Sequence, residues 1–363
     1  MKVSIIVAVY NIEKYLEKCL QSLILTNSYV FEIICVNDGS RDLSVDIIKK
    51  YRKKDERIHL INKENRGISS ARNVGINNAK GDFLIFIDGD DYVDADAINK
   101  ALEELNAVLK KEKIDAVWCG YFRDDWNGER LIEPIFSKKV YNKEEIRNLI
   151  LPSILGVSLQ KLYLWFDGKD LQKNQEFPTV WRFIYSKDLI DLYKIRFNEN
   201  VKTGEDILFN WEFLFWSTNI IITNYKYYHY IWRKGSLTQN TSKHFYQSKQ
   251  LFIVEREKLN EKLREREGKN YGREYQGSLV LTKIQMAVSL SKCSLIHFQE
   301  NYIKFVKYAM MKPIVEAYAK LELEKAPLKY KIPLYIAKKQ WNSILFFLCF
   351  LINKLKIQIY PEE

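Results

Sequence analysis

The 363-residue sequence holds little glycine and little proline, 14 and 7 residues, which excludes collagen-like, proline-rich and low-complexity architectures. Cysteine is scarce as well. Cys19, Cys35, Cys119, Cys293 and Cys349 are scattered, odd in number and without CxxC spacing, so neither a disulfide framework nor a zinc site is expected and a reducing compartment fits. Long apolar runs are missing: the longest, Ile344 to Ile352, has nine residues, about half of what a bilayer span requires. Val3 to Tyr10 is too short for the core of a signal peptide and leads into Asn11 and Glu13, so it reads as a strand and the protein as soluble or peripheral. Acid is scarce in one region only. Residues 243–363 hold no Asp and 12 Glu against 22 Lys and Arg, a net of +10, whereas residues 1–242 hold 34 against 35, a net of +1. A neutral front and a basic tail point to an anionic partner. With 47% hydrophobic and 28% charged residues the chain is globular, and its length suits one large domain plus a second module.

Along the front, short apolar runs alternate with helical patterns. Lys2–Val9, Phe31–Val36, Ile58–Ile61, Asp82–Ile87 and Ala116–Tyr121 read as strands; Ile12–Leu25, Leu43–Lys53, a segment after Gly67 capped by Ser69 or Ser70, and Ala97–Leu109 read as helices. This alternation implies βα units and a mostly parallel sheet. Residues 122–200 are mixed. Further on, Gly204-Glu205-Asp206 opens a helix Ile207–Trp216, followed by strands near Ile220–Ile222 and Tyr225–Ile231. Beyond about residue 242 the pattern is helical, near 244–266, 277–292, 300–310, 313–325 and 334–356. The expected division is an α/β domain over 1–240 and an α-helical module over 241–363.

Ligands of such sheets sit at the carboxyl ends of the strands. Here those ends read Tyr10-Asn11, Asn37-Asp38-Gly39-Ser40 and Asp88-Gly89-Asp90-Asp91. Carboxylates this close need a cation beside them when ionised, and a hard divalent ion such as magnesium or manganese holds few protein carboxylates while leaving positions for phosphate oxygens. Gly89 lets the backbone approach a ligand closely. Walker, dinucleotide-type glycine and GxSxG patterns are absent.

Four blocks occur in order: Val7-Ala8-Val9-Tyr10-Asn11; Val36-Asn37-Asp38-Gly39-Ser40; Gly67-Ile68-Ser69-Ser70-Ala71-Arg72-Asn73-Val74-Gly75; and Phe86-Ile87-Asp88-Gly89-Asp90-Asp91. The set resembles the family 2 glycosyltransferases, and Gly204-Glu205-Asp206 with Tyr228-His229-Tyr230, Arg233 and Ser236 resembles that family's later blocks. The resemblance covers about residues 2–240. It implies a GT-A, Rossmann-like domain and an inverting transfer of a hexose or N-acetylhexosamine from a UDP-sugar to a glycan hydroxyl. The acceptor would be a lipid-linked oligosaccharide or a glycoprotein glycan of bacterial surface glycan synthesis.

By the same resemblance Asp90 is the metal ligand, with Asp88 and His229 as further candidates, for Mn2+ or Mg2+ as cofactor. Ala8, Tyr10, Glu13, Asp38, Arg72, Asp88 and Gly89 would line the nucleotide-sugar pocket, and Arg233 and Ser236 would close over the diphosphate. Asp206 matches the catalytic base, with Glu205 beside it, and a helix N-terminus suits an ionised carboxylate; a plain helix cap is the structural alternative. Phe177 and Trp181 are candidates for the acceptor side. The rival functions are a metal-dependent nucleotidyltransferase and an inactive nucleotide-sugar-binding module.

In the tail, Trp341, Ile344, Leu345, Leu348, Leu351, Ile352, Leu355 and Ile359 recur at helical steps among Lys338, Lys339, Lys354 and Lys356. Residues 331–360 therefore read as an interfacial helix for an anionic membrane surface, on the cytoplasmic face of the plasma membrane. Docking on the chain's own module or on a second subunit in a homo-oligomer is the other reading. Nucleic acid is not an expected partner, because Lys and Glu mix between 255 and 267 and no RNP, KH or zinc-finger pattern occurs.

Overall fold

The computed structural model describes residues 1–125, 128–134, 136–137, 139–166, 178–233 and 245–355. The chain divides into two compact units, Met1–Ile154 with Glu176–Ser242, and Leu155–Gln175 with Lys243–Glu363. Residues 155–166 thus group with the tail, whereas the sequence pattern places them in the 1–240 domain.

The first unit is built on a mixed, mostly parallel sheet. Its strands are β1 (Val3–Val9), β2 (Val30–Asn37), β3 (Ile58–Asn62), β4 (Phe83–Asp88), β5 (Tyr92–Val93), β6 (Ala116–Asp125), β7 (Gly128–Ile132), β8 (Lys139–Asn142), β9 (Phe183–Ser186) and β10 (Asn219–Ile231). Hydrogen bonding orders them β3-β2-β1-β4-β9-β6-β10-β5, with β7 on β6 and β8 on β10. β1 pairs in parallel with both β2 and β4, and its residues Val3, Ile5, Ile6, Val7 and Val9 are all buried. Strands covered on both faces by βα crossovers are apolar throughout, which is why VSIIVAV and FLIFID were readable. The chain winds from β1 outward to β3, then returns to β4 on the other flank of β1. The carboxyl ends of β1 and β4 therefore flank the switch point, where α/β sheets bind ligands.

Helices α1 (Glu13–Leu23), α2 (Ser44–Arg52), α3 (Ile68–Asn78) and α4 (Ala95–Leu109) provide the crossovers. The expected serine cap on α3 is not made. Ser69 and Ser70 lie buried in its first turn, and Gly67, at φ +94°, is the cap residue with no side-chain cap of its own. The Asp38 carboxylate, from the end of β2, accepts the Arg66 and Gly67 N–H groups instead, at 3.0 and 2.7 Å. The two strands expected over 220–231 form one long strand, β10, whose register on β6 shifts between Ile222 and Tyr228. β9 enters antiparallel between β4 and β6 from the segment the sequence left unparsed.

The second unit is helical: Leu159–Phe166, Phe245–Glu267, Gln276–Ser291, Phe298–Ala309, Lys312–Ala319, Leu328–Lys338 and Asn342–Lys354. Val157 and Ser278 exchange two hydrogen bonds, Val157 N–H to Ser278 Oγ at 2.8 Å and Ser278 N–H to Val157 O at 2.9 Å. The tail pattern expected as one helix over 334–356 breaks at Gln340, which has φ +58°; Lys283, buried, donates to Ala337 O and Gln340 Oε1 at this turn. The proposed stripe thus lies on Asn342–Lys354, and Lys356 and Ile359 lie outside the described residues.

Candidate active site

The carboxyl edge of the sheet gathers the residues that the sequence singled out. Ala8 pairs in register with Asp88, and its carbonyl accepts the Gly89 N–H at 3.2 Å. A Cβ on Gly89 would meet Ile12 Cδ1 at 2.6 Å and Ala8 O at 3.0 Å, so only glycine fits this close approach. Tyr10 stands 49% exposed at the end of β1. The next residue, Asn11, is laced to the loop after β2: its N–H donates to Ser40 Oγ and its Oδ1 accepts the Arg41 N–H. This brings Tyr10 beside the Asp38 loop. Asp38 itself is buried, and Lys63 Nζ joins the two backbone donors on its carboxylate. Glu13 is turned elsewhere. Its carboxylate accepts the Leu43 N–H at 2.8 Å while its own N–H donates to Asp42, a brace between the starts of α1 and α2.

At the centre lies Arg72, on α3 and 3% exposed. Its Nη2 donates to Asp88 Oδ1 at 2.8 Å, its Nη1 donates to Asp206 Oδ1 at 2.7 Å, and Glu205 Oε1 lies 3.8 Å from the same nitrogen. The guanidinium sits 5.2 Å from the Phe197 ring, which stacks on Phe209 at 4.1 Å. Phe209 belongs to the helix Glu205–Trp216, so one aromatic floor carries both the arginine and the helix that presents the carboxylates. Burial alone would lower the Arg72 pKa, but Asp206, Asp88 and Glu205 outweigh it and raise it. Arg72 is thus held charged, a cation among three carboxylates.

Asp206 is further held by the Val180 N–H, which donates to Oδ2 at 3.2 Å. The Pro178–Val180 segment is tied down in turn, because Asn210 donates to Pro178 O and Tyr185 OH reaches both Val180 O and Asn210 Oδ1. Burial raises the Asp206 pKa, with Arg72 opposing and Asp88 adding to the rise. Glu205 is pushed up to about 7, by burial first and by Asp206 second, against Arg72. A carboxyl raised from its ordinary 4.5 stabilises the fold fully below that value, and the contribution is lost as pH rises through about 7. Glu205→Gln removes the titration. Its melting temperature should therefore gain on wild type between pH 5 and pH 8, by a few degrees; a constant offset at both pH values would contradict the raised pKa.

Around β4, Asp91 is buried and accepts Tyr228 OH at 2.7 Å and the Ile231 N–H at 2.9 Å. Burial, then Asp90 and Asp88, push its pKa up to about 8. Asp90 is different: its side chain is 41% exposed. Arg233 Nη1 donates to Asp90 Oδ2 at 2.7 Å, Arg233 Nη2 donates to the Asp90 carbonyl, and the guanidinium lies over Tyr15 at 4.0 Å. The Asp90 pKa is raised by burial and by Asp88, with Arg233 opposing.

Two expected residues find other places. His229 is sandwiched between Tyr92 and Phe122, at 4.3 and 4.5 Å, with its Nδ1 3.8 Å from Asp124 Oδ2. Side chains alternate along β10, so Tyr228 turns to Asp91 and His229 does not; its place is a packed one, unlike that of a metal ligand. Trp181 is 5% exposed and stacks on Tyr228 at 4.2 Å, a support under Asp91 without an open face for an acceptor. Ser236 and Phe177 lie outside the described residues. The sequence reading missed Tyr228, Val180 and Tyr15. Tyr228 sat in a quoted block and was open to finding, whereas a backbone N–H such as that of Val180 leaves no signal in sequence.

Among the described residues no group of three or more His, Cys, Asp or Glu side chains could hold a metal ion by itself. The single half-exposed carboxylate of Asp90 is the donor expected for an ion whose other positions are left to diphosphate oxygens and water.

Comparison with known proteins bears on the family and the fold. The family model described as Glycosyl transferase family 2 matches residues 4–160. The uncharacterized glycosyltransferase EpsJ of Bacillus subtilis (strain 168) is 33% identical over 209 residues, 57% of this chain and 54% of that protein. Glycosyltransferase GlyA of Streptococcus pneumoniae serotype 4 is 32% identical over 243 residues, 66% of this chain and 32% of that protein. The chain thus spans about half the length of the first and a third of the second. Among solved structures, S. aureus TarS 1-349 in complex with UDP-GlcNAc matches with a TM-score of 0.60 at 20% identity, over 98% of this chain and 92% of that one. That likeness speaks for the fold. The ordered strand-end blocks, the sheet and these matches agree on a glycosyl transferase family 2 domain that takes in residues 4–160 and on a GT-A-like fold.

Proposed function

We propose that the protein is an inverting, metal-dependent glycosyltransferase that moves a hexose or N-acetylhexosamine from a UDP-sugar to a hydroxyl of a glycan acceptor, lipid-linked or on a glycoprotein, in bacterial surface glycan synthesis. The observation that carries the reading is the union of Asp206 with Asp88 through buried Arg72, 2.7 and 2.8 Å from the two carboxylates. A nucleotide pocket alone needs no second carboxylate opposite the first. An inverting displacement does, because a base must deprotonate the attacking hydroxyl.

In this reading Asp206 takes the proton of an acceptor hydroxyl. The oxygen attacks the anomeric carbon from the face opposite UDP, the bond from that carbon to the diphosphate oxygen breaks, and the configuration inverts. Exposed Tyr10 stacks on the uracil and the Asp38 loop borders it. UDP as the nucleotide draws support from S. aureus TarS, solved in complex with UDP-GlcNAc and with UDP. Asp90 would hold Mn2+ or Mg2+, and the bound ion would stabilise the charge that develops on the departing diphosphate. Arg233, stacked on Tyr15 and lying against Asp90, would bind the same diphosphate.

Asp90→Ala should weaken Mn2+-dependent UDP binding at least tenfold in calorimetry and leave the residual metal-free binding unchanged. Undiminished Mn2+-dependent binding would move the ion to another site.

A further inference from the structure

In the helical unit, the helix Asn342–Lys354 is apolar on two faces. Leu345, Phe346 and Phe350 are buried, with Phe346 and Phe350 packed on Phe298 at ring distances of 5.3 and 4.8 Å. The other face carries Ile344, Phe347, Leu348 and Leu351, then Leu355, at steps of three and four, between 38% and 68% exposed. A helix on the surface of a globular unit needs one apolar stripe, so the second is surplus to the fold. The preceding helix extends it: Leu328, Ile332 and Tyr335 stand 80%, 66% and 42% exposed, and Tyr335 meets exposed Trp341 edge-on at 5.8 Å. From Lys325 to Tyr360 there are seven lysines and no Asp, Glu or Arg. Lys339 lies 5.7 Å from the Tyr335 ring of the exposed strip, and Lys354, between exposed Leu351 and Leu355, reaches the edge of the helix at 5.4 Å from the ring of buried Phe350.

We propose that this two-helix face docks on an anionic lipid bilayer, with the Trp, Phe and Leu side chains at the headgroup boundary and the lysines against lipid phosphates. Charge decides the occupant. Pairing two copies through this face would bring together two tails of net +10, each counted over residues 243–363, closer than a Debye length. An anionic leaflet attracts the same lysines and receives the same apolar side chains. The face lies on a membrane and does not span it: among the described residues no single helix is long and apolar enough to cross one. The bent pair Lys143–Ile154 and Leu159–Phe166 reaches that threshold only in sum, and its residues Ile146, Ile150, Leu151 and Ile154 are buried in the protein. This proposal stands independently of the glycosyl-transfer reading.

The test is co-sedimentation of the full chain with phosphatidylcholine vesicles, with and without phosphatidylglycerol. Binding is expected only to the anionic vesicles, and high salt should release it. Phe347→Glu with Leu351→Glu should lower the partition coefficient at least tenfold with the melting temperature unchanged. Lys339→Gln with Lys354→Gln should lower it severalfold without touching an apolar residue. Hydrolysis of UDP-sugars in solution by either variant should match wild type, which separates this test from that of the active site. Wild type left in the supernatant, or binding undiminished in both variants, would overturn the proposal. So would a dimer in light scattering that the double glutamate variant dissociates, or a large fall in that variant's melting temperature, since either means that protein already covers the face.

Discussion

Asp206→Asn should keep UDP and metal binding within about twofold of wild type and lose sugar transfer, with kcat lower by about 10^2–10^4, the usual contribution of a positioned base. Asparagine keeps the size of the side chain and an oxygen to accept from Arg72 Nη1 or from the Val180 N–H, so the local fold survives. It cannot accept a proton. Because the contacts of Asp206 are to Arg72 and the Val180 N–H, while the nucleotide reading rests on Tyr10 and Asp38, nucleotide affinity should not change. A variant that still transfers sugar at a tenth of the wild-type rate would remove Asp206 as the base. Glu205, with its pKa near 7 and 3.8 Å from the same arginine, would then be the residue to test next.

Arg72→Met should be the most destabilising single change at the site. Arg72 is 3% exposed and is the cation that faces Asp88, Glu205 and Asp206 together. Breaking a buried ion pair from one side costs about 3–5 kcal/mol, and here the remaining carboxylates also repel one another. The expected fall in melting temperature is about 6–20 °C at pH 8. The deficit should shrink toward pH 5. Losing the cation raises carboxyl pKa values that burial already holds up, and protonation at low pH removes the repulsion. Arg72→Lys should recover part of the stability but little of the activity, because an ammonium cannot bridge Asp88 and Asp206 as the planar fork does. A fall of less than about 1 kcal/mol at pH 8 in Arg72→Met would contradict the clamp.

The parts of this protein that were legible in its sequence are those governed by local rules. β1, β2, β3 and β4 are apolar runs that stop at polar strand ends, and those ends are where the sheet puts its edge. What stayed hidden was set at long range. The turn that leads into α3 is held by Asp38, 29 residues before Gly67, and no local serine pattern could disclose it. Arg72 reads as a helix residue, yet its partner Asp206 lies 134 residues on. β9 is four residues of FIYS between a 3-10 turn, Val180–Arg182, and a short helix, Lys187–Leu192, and becomes a strand because β4 and β6 offer it two edges. His229 and Trp181 carried chemically suggestive types, but the stacking of Tyr92, Phe122 and Tyr228 assigns them to packing. In the tail the periodicity was visible, whereas the break at Gln340 and the division of the apolar surface into a buried and an exposed stripe required the neighbouring helices.

The central claim is that the strand-end carboxylates and Asp206 form a working, metal-dependent sugar-transfer site. UDP release from a panel of UDP-sugars, with Mn2+ and with a chelator, tests it most directly. The account predicts turnover of one or a few donors that the chelator abolishes and that Asp206→Asn and Asp90→Ala both lose. Release that continues undiminished in the presence of chelator, or a protein that neither binds UDP nor turns over any donor, would contradict it.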